Sequence, residues 1–207
     1  CGSDTFEVEP LSEFLATQVA ERICPEVVCY DLDFYHDRLV SKCRLFTSEQ
    51  LGLVKAHDIL PQWERSISGI LRHFEELGFG DEFRRMCVLD ALILNVDRYL
   101  GNFGVLVDNQ TLQIQRMAPV FDHNRSLLFD MDQAQLENLP WCIGTCKPRI
   151  GTDFIATARG MLTPEIRRDL EGLREFSFRQ HPEIQADQAR LDALGAVVRS
   201  QAERILE

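Results

Sequence analysis

The sequence predicts an α+β fold in which one helix and a small sheet precede a larger, mostly helical part that carries a single short hairpin. Two patterns predict it. Apolar residues recur at four-residue spacing in several segments, the mark of amphipathic helices, and pairs of short apolar runs are separated by turn residues. The 207 residues, 45% of them hydrophobic, can bury the core of one large domain or two small lobes, which excludes a disordered chain.

Residues 11–23 place Leu11, Leu15, Val19 and Ile23 on one helical face, and Pro25 stops that helix. Residues 27–32 and 39–46 read as two strands across the turn Tyr35-His36-Asp37-Arg38. The acid-rich stretch 47–60 reads as a connector. A helix is predicted over 62–77 through Trp63, Ile67, Ile70, Leu71 and Phe74, closed by Gly78 and Gly80. Asp81 is the expected N-cap of a second helix that reaches Asn95 and is apolar almost all round in its last turns, hence buried. Residues 97–104 are a polar, glycine-bearing loop. Residues 104–107 and 112–115 then flank Asp108-Asn109-Gln110-Thr111 as a hairpin, and residues 117–122 end that region. From Asp132 onward the chain reads as helical, with Thr163 and Pro164 opening one helix and residues 182–206 forming a long closing one. On this reading residues 1–46 form a partial N-terminal lobe and residues 47–207 a helical C-terminal lobe.

The balance of 33 acidic against 22 basic residues gives a formal net charge of −11, which argues against direct contact with nucleic acid. No apolar run reaches the roughly 18–20 residues that cross a bilayer. The best, residues 87–96, is interrupted by Asp90, so no membrane partner is expected. Residue 1 is Cys and no charged-then-apolar leader follows, so the chain is expected to begin partway through a longer product. Seven cysteines form an odd set without small-secreted-domain spacing, and Cys142 and Cys146 lack the second pair or the histidines of a zinc site. Free thiols in a reducing, cytoplasmic compartment are the expectation. Asp90 reads as a buried structural carboxylate paired with an arginine, and His57, His73 and His181 as surface histidines.

The informative segment is Asn95-Val96-Asp97-Arg98-Tyr99-Leu100-Gly101-Asn102-Phe103-Gly104, followed after the hairpin by Ala118-Pro119-Val120-Phe121-Asp122. An Asp, an Asn five positions on, a short hairpin and a second Asp is the order used in kinase-type phosphoryl transfer. In that chemistry the first Asp orients or accepts the proton of an attacking hydroxyl. The Asn and the second Asp offer hard oxygen ligands to Mg²⁺ on the nucleotide phosphates. Singly, Asp97 and Asn102 suit turn caps and Asp122 a helix N-cap; the order of all three is what points to a metal–nucleotide site.

The loop from Leu94 to Gly104 resembles the N-x-D-R-H-x-x-N-F-G loop of HipA-like protein kinases, and is also similar to the loop of phosphatidylinositol kinases. Pro119-Val120-Phe121-Asp122 resembles the P-x-[FY]-D segment of the same family. Ser12-Glu13 looks like part of its αC-type helix, and Lys42-Cys43-Arg44-Leu45-Phe46-Thr47 like the strand leading to its hinge. The resemblance covers residues 11–129; beyond them only the helical character agrees. It implies a protein-kinase-like fold, ATP and Mg²⁺ as cofactors, and a protein Ser or Thr hydroxyl as acceptor. It makes Asp97 the catalytic residue, Asn102 and Asp122 the metal ligands, residues 118–124 the metal-binding segment and residues 95–104 the catalytic loop. Glu13 becomes the partner of a nucleotide-contacting lysine. A toxin–antitoxin role in a bacterium belongs to the same family picture.

There are departures. Tyr99 stands where the family commonly has His, the twelve glycines never form G-x-G-x-x-G, and no lysine precedes Glu13. That lysine would fall upstream of Cys1, so the chain is either a fragment lacking the front of the small lobe or a degenerate member. A catalytically inactive kinase-fold module that binds nucleotide or a partner is one alternative to a protein kinase. A lipid or small-molecule kinase is the other, disfavoured by the absence of a basic membrane-facing patch.

Overall fold

The computed structural model describes residues 8–64 and 66–207; Cys1 lies outside them. Helix α1 (Val8–Ile23) buries the predicted face, with Leu15, Val19 and Ile23 at most 2% exposed. It is followed by an antiparallel pair, β1 (Tyr30–Tyr35) and β2 (Arg38–Cys43), joined across the predicted turn. His36 and Asp37 both take left-handed backbone conformations there, which suits a tight connection. The strands sit a few residues away from the predicted runs. Val27 and Val28 leave the hairpin and instead reach Val120, the Val28 amide bonding the Val120 carbonyl at 2.9 Å.

Residues 47–60 are not a connector. They form β3 (Leu51–Lys55) and a single helical turn, α2 (Ala56–Ile59). The strand exists through non-local pairing, since β3 lies antiparallel to β4 (Gly104–Asp108), which pairs in turn with β5 (Ile114–Met117). A Cβ on Gly104 would lie 2.1 Å from the Val54 carbonyl oxygen, so this close strand approach requires glycine.

The helix predicted over 62–77 is shorter. Ser66 caps α3 (Ile67–Glu76) by accepting the Gly69 amide, and Trp63 stays outside it, 77% exposed. Gly78, at φ +85°, makes the reversal into α4 (Gly80–Ile93). Asp81 is therefore not the cap. It sits in the first turn of α4 and pairs with Arg85 one turn on, at 2.7 Å. Helix α4 is the central element, packed by α1, α3, α7 (Phe154–Arg159) and α9 (Gln188–Leu206), with Phe83, Met86, Leu89, Leu92 and Ile93 fully buried. It stops at Ile93, because Leu94 adopts a left-handed conformation with φ 52°.

The remainder is helical as expected. Between β5 and α7 lie α5 (Gln133–Leu136) and α6 (Leu139–Thr145), and Thr163 caps α8 (Pro164–Glu171). The closing helix begins later than predicted, at Gln188 behind the cap Asp187, while residues 182–187 are irregular. His181 is not a surface histidine. It is 8% exposed, bonds Asp31 at 3.0 Å through Nε2 and accepts the Glu183 and Ile184 amides on Nδ1. Among the described residues no helix is long and apolar enough to cross a membrane.

Candidate active site

The left-handed Leu94 at the end of α4 throws the chain into the loop 95–104, and three side chains hold that loop. Asn95 accepts the Asp97 amide on Oδ1 at 3.0 Å and donates from Nδ2 to Asp90 at 3.1 Å. Arg98, 2% exposed, donates from Nε and Nη2 to the Asp90 carboxylate. Its Nη1 reaches the carbonyls of Asn102 at 2.7 Å and Phe121 at 2.6 Å, and its Nη2 lies 3.2 Å from Nδ1 of His123. One guanidinium thus clamps the two segments that carry Asn102 and Asp122. Asp90 is paired with an arginine as expected; burial pushes its carboxyl upward while Arg98 and Asn95 pull it back.

Asp97 sits half-buried beside this clamp. Its Oδ1 accepts a 2.5 Å hydrogen bond from Nη1 of Arg149, whose guanidinium lies 5.3 Å from the centroid of the Tyr99 ring. Asn102 is 4% exposed and donates its amide nitrogen to the Asp97 carbonyl at 3.2 Å, and its Oδ1 accepts no hydrogen bond among the described residues. Asp122 adopts a left-handed conformation, φ 60°, and no helix follows it, so it is not a helix cap. Its backbone amide bonds the Tyr30 hydroxyl at 3.1 Å. Burial holds its carboxyl above the usual range, and the nearby charge of Asp97 adds to this while Arg98 opposes it.

Glu13, 8% exposed, faces the same region from α1. It accepts a 2.5 Å hydrogen bond from Ser41 of β2 and lies within hydrogen-bonding reach of the Tyr30 hydroxyl. Burial raises its pKa, and the charge of Asp122 raises it further. Among the described residues Glu13 makes no ion pair. Tyr30 therefore stands between Glu13 and Asp122, and Phe46, just beyond β2, packs on Phe121 with ring centroids 5.3 Å apart.

The donor set suits a small hard cation. The described residues contain no group of three or more His, Cys, Asp or Glu fit to hold a metal. A Mg²⁺ ion would have the Asn102 amide oxygen and the Asp122 carboxylate, with phosphate oxygens and water completing the shell, as this ion commonly accepts. Cys24, Cys29, Cys43, Cys87, Cys142 and Cys146 are free thiols, and Cys146 Sγ contacts the Cys142 carbonyl.

Asp97, Asn102, Asp122 and Glu13 are thus brought into one region, each beside the next. Sequence reasoning missed Arg98 as the clamp, Tyr30 and Arg149. The signal for Arg98 was present, since Asp90 demanded an arginine partner; Arg149 comes from a distant loop and had none.

No family model matches the chain, and no curated protein does. Among solved structures it is similar to the crystal structure of a Helicobacter pylori proinflammatory kinase, CtkA, with a TM-score of 0.68 at 16% identity, over 96% of this chain and 84% of that one. The fold is protein-kinase-like.

Proposed function

We propose that this protein is an ATP- and Mg²⁺-dependent phosphotransferase of HipA-like kinase type, acting on a Ser or Thr hydroxyl of a protein. The observation that carries the reading is the Arg98 clamp, which bonds the carbonyls of Asn102 and Phe121 and so fixes the segments of Asn102 and Asp122, the two residues proposed as metal ligands, beside Asp97. The kinase fold shared with a solved kinase supports it. In this reading Asp97 orients the acceptor hydroxyl and takes its proton. Asn102 and Asp122 would hold Mg²⁺, which when bound would supply charge stabilisation to the nucleotide phosphates. Glu13 fixes the position of a nucleotide-contacting lysine, and Arg98 keeps the loop rigid so that the geometry needs no rearrangement at the moment of transfer.

The test is Asp97→Asn in the full-length protein. Phosphate transfer is expected to fall by about 10²–10⁴, the usual cost of losing a general base, with nucleotide affinity little changed. Transfer surviving within a few-fold would remove Asp97 from the chemistry. Metal-dependent nucleotide binding without transfer in the unsubstituted protein would instead support an inactive binding module.

A further inference from the structure

We propose that Arg149 is a second catalytic residue: its guanidinium leaves Asp97 to grip the transferring phosphoryl group when substrate and nucleotide are bound. The inference rests on the phosphotransferase reading above and adds a residue outside the resembling segment.

Beyond the proposed Mg²⁺ at Asp122 and lysine at Glu13, there is negative charge left for a further cation to meet. Glu13, Asp97 and Asp122 crowd three carboxylates into one region, and a transferring phosphoryl adds more negative charge there. Arg98 cannot answer it, because its Nε, Nη1 and Nη2 are all committed to Asp90, two carbonyls and His123. Arg125 stands near Asp122 but pairs with Glu9 at 3.7 Å and lies over Phe129. Among the described residues Arg149 is the cation that touches Asp97 itself, and its side chain is 54% exposed.

Its position is built. The loop between α6 and α7 carries Pro148 and Ile150, which line a small cavity together with Asp90, Asn95 and Arg98. Anchoring the neighbours on either side directs Arg149 away from that layer and toward Asp97. Gly151, at φ +83°, allows the turn that follows, and a Cβ there would lie 2.4 Å from Thr157 Oγ1. Tyr99 supplies a flat rest for the guanidinium, within the roughly 6 Å range of a cation–π contact. The ring fits against the loop because residue 101 is glycine: a Cβ there would meet it at 2.4 Å.

Arg149 engages Oδ1 of Asp97, and moving the guanidinium onto the phosphoryl group would release that oxygen to the acceptor hydroxyl. In transfer, the acceptor oxygen bonds the γ-phosphorus and its proton passes to Asp97. The bond to the β,γ-bridging oxygen breaks, and ADP departs with the electron pair. A planar guanidinium is well matched to the equatorial phosphoryl oxygens as their charge spreads.

The experiment compares the full-length protein with Arg149→Ala, Arg149→Lys and Tyr99→Leu. It measures transfer from ATP, affinity for Mg²⁺–ADP, and the gain in ADP affinity on adding aluminium fluoride, a planar phosphoryl mimic. Arg149→Ala should lower kcat by about 10²–10³, the cost of losing one transition-state donor, leave Mg²⁺–ADP affinity within about twofold and abolish the fluoride-dependent gain. Arg149→Lys should recover part of both, and Tyr99→Leu should cost about two- to fivefold, as for an exposed cation–π contact. An Arg149→Ala protein that is unchanged, or faster because a plug has been removed, overturns the inference while leaving Asp97-dependent transfer standing. Failure of the unsubstituted protein to bind Mg²⁺–ADP overturns both it and the phosphotransferase reading.

Discussion

Arg98 donates through Nε to both carboxylate oxygens of Asp90, at 3.2 and 3.0 Å, with both side chains buried. This pair joins the buried helix α4 to the candidate site, since the rest of the same guanidinium holds Asn102 and Phe121. Breaking a buried pair from one side strands a charge in the interior. Asp90→Ala is therefore expected to cost about 3–5 kcal/mol in denaturant unfolding. It should also loosen the loop 95–104. A loss below about 1 kcal/mol, the worth of an exposed ion pair, would show that Arg98 finds other partners.

Tyr30 is the next joint. Its hydroxyl accepts the Asp122 amide and neighbours the Glu13 carboxylate, whose pKa it helps to hold down. Tyr30→Phe should destabilise by about 1 kcal/mol, the net worth of a hydrogen bond. It should also move the Glu13 titration upward, followed by carboxyl-carbon NMR. An unmoved Glu13 would mean that burial, Ser41, Asp122 and the His123 backbone govern it without Tyr30.

His123 gives the protein an acid-side weakness. The ring is fully buried, and burial together with the charge of Arg98 holds its pKa well below the ordinary histidine value. It is neutral, with Nδ1 facing Arg98 and Nε2 lacking a hydrogen-bond partner among the described residues. Below about pH 6.5 the unfolded chain takes a proton that the folded ring refuses, so stability falls as pH drops, by up to about 1.4 kcal/mol per unit. Glu13, Asp90 and Asp122, raised above their unfolded values, act in the opposite sense as pH falls toward the carboxylate range. The comparison with His123→Asn, whose amide oxygen still accepts from Arg98, isolates the imidazole. Its stability should fall less steeply between pH 6.5 and 5.5, and matching slopes would assign the effect to another group.

How far the sequence reached depends on whether each interaction is local. Helix α1, the hairpin β4–β5 and the buried α4 were legible because periodicity and turn chemistry act within a few residues. Strand β3 was not, because Leu51–Lys55 becomes a strand only by pairing with Gly104–Asp108. His181 was misread for the same reason: its partner Asp31 lies 150 positions away. Within the site, Asp97, Asn102 and Asp122 stood out by order and spacing. Arg149 did not, because the cation lies 52 positions beyond Asp97 in an unremarkable loop. Residues of one contiguous loop left a motif; a cation brought in from a distant loop is set by tertiary packing.

Asp122 allows a test in which stability and binding move in opposite directions. Burial, with the charge of Asp97 and against that of Arg98, disfavours its ionised form, so its folded pKa lies above the unfolded one. The sign follows: at neutral pH the charge costs stability, and the cost fades as pH falls through the raised value. Asp122→Asn removes the charge, keeps the shape and tolerates the left-handed backbone at φ 60°, where asparagine is among the residues that sit most readily. The ligand-free variant should melt higher than the parent at pH 7, and that advantage should shrink on acidification. With Mg²⁺–ADP the order should reverse. A ligand at a hundredfold its dissociation constant adds about 2.7 kcal/mol to a protein that binds it, and the variant, with a neutral amide oxygen in place of the proposed carboxylate ligand, should gain less. If Asp122 merely shapes the turn, the variant will melt no higher without ligand and will respond to Mg²⁺–ADP as the parent does. Thermal melts of both proteins, with and without Mg²⁺–ADP and at two pH values, separate the two outcomes.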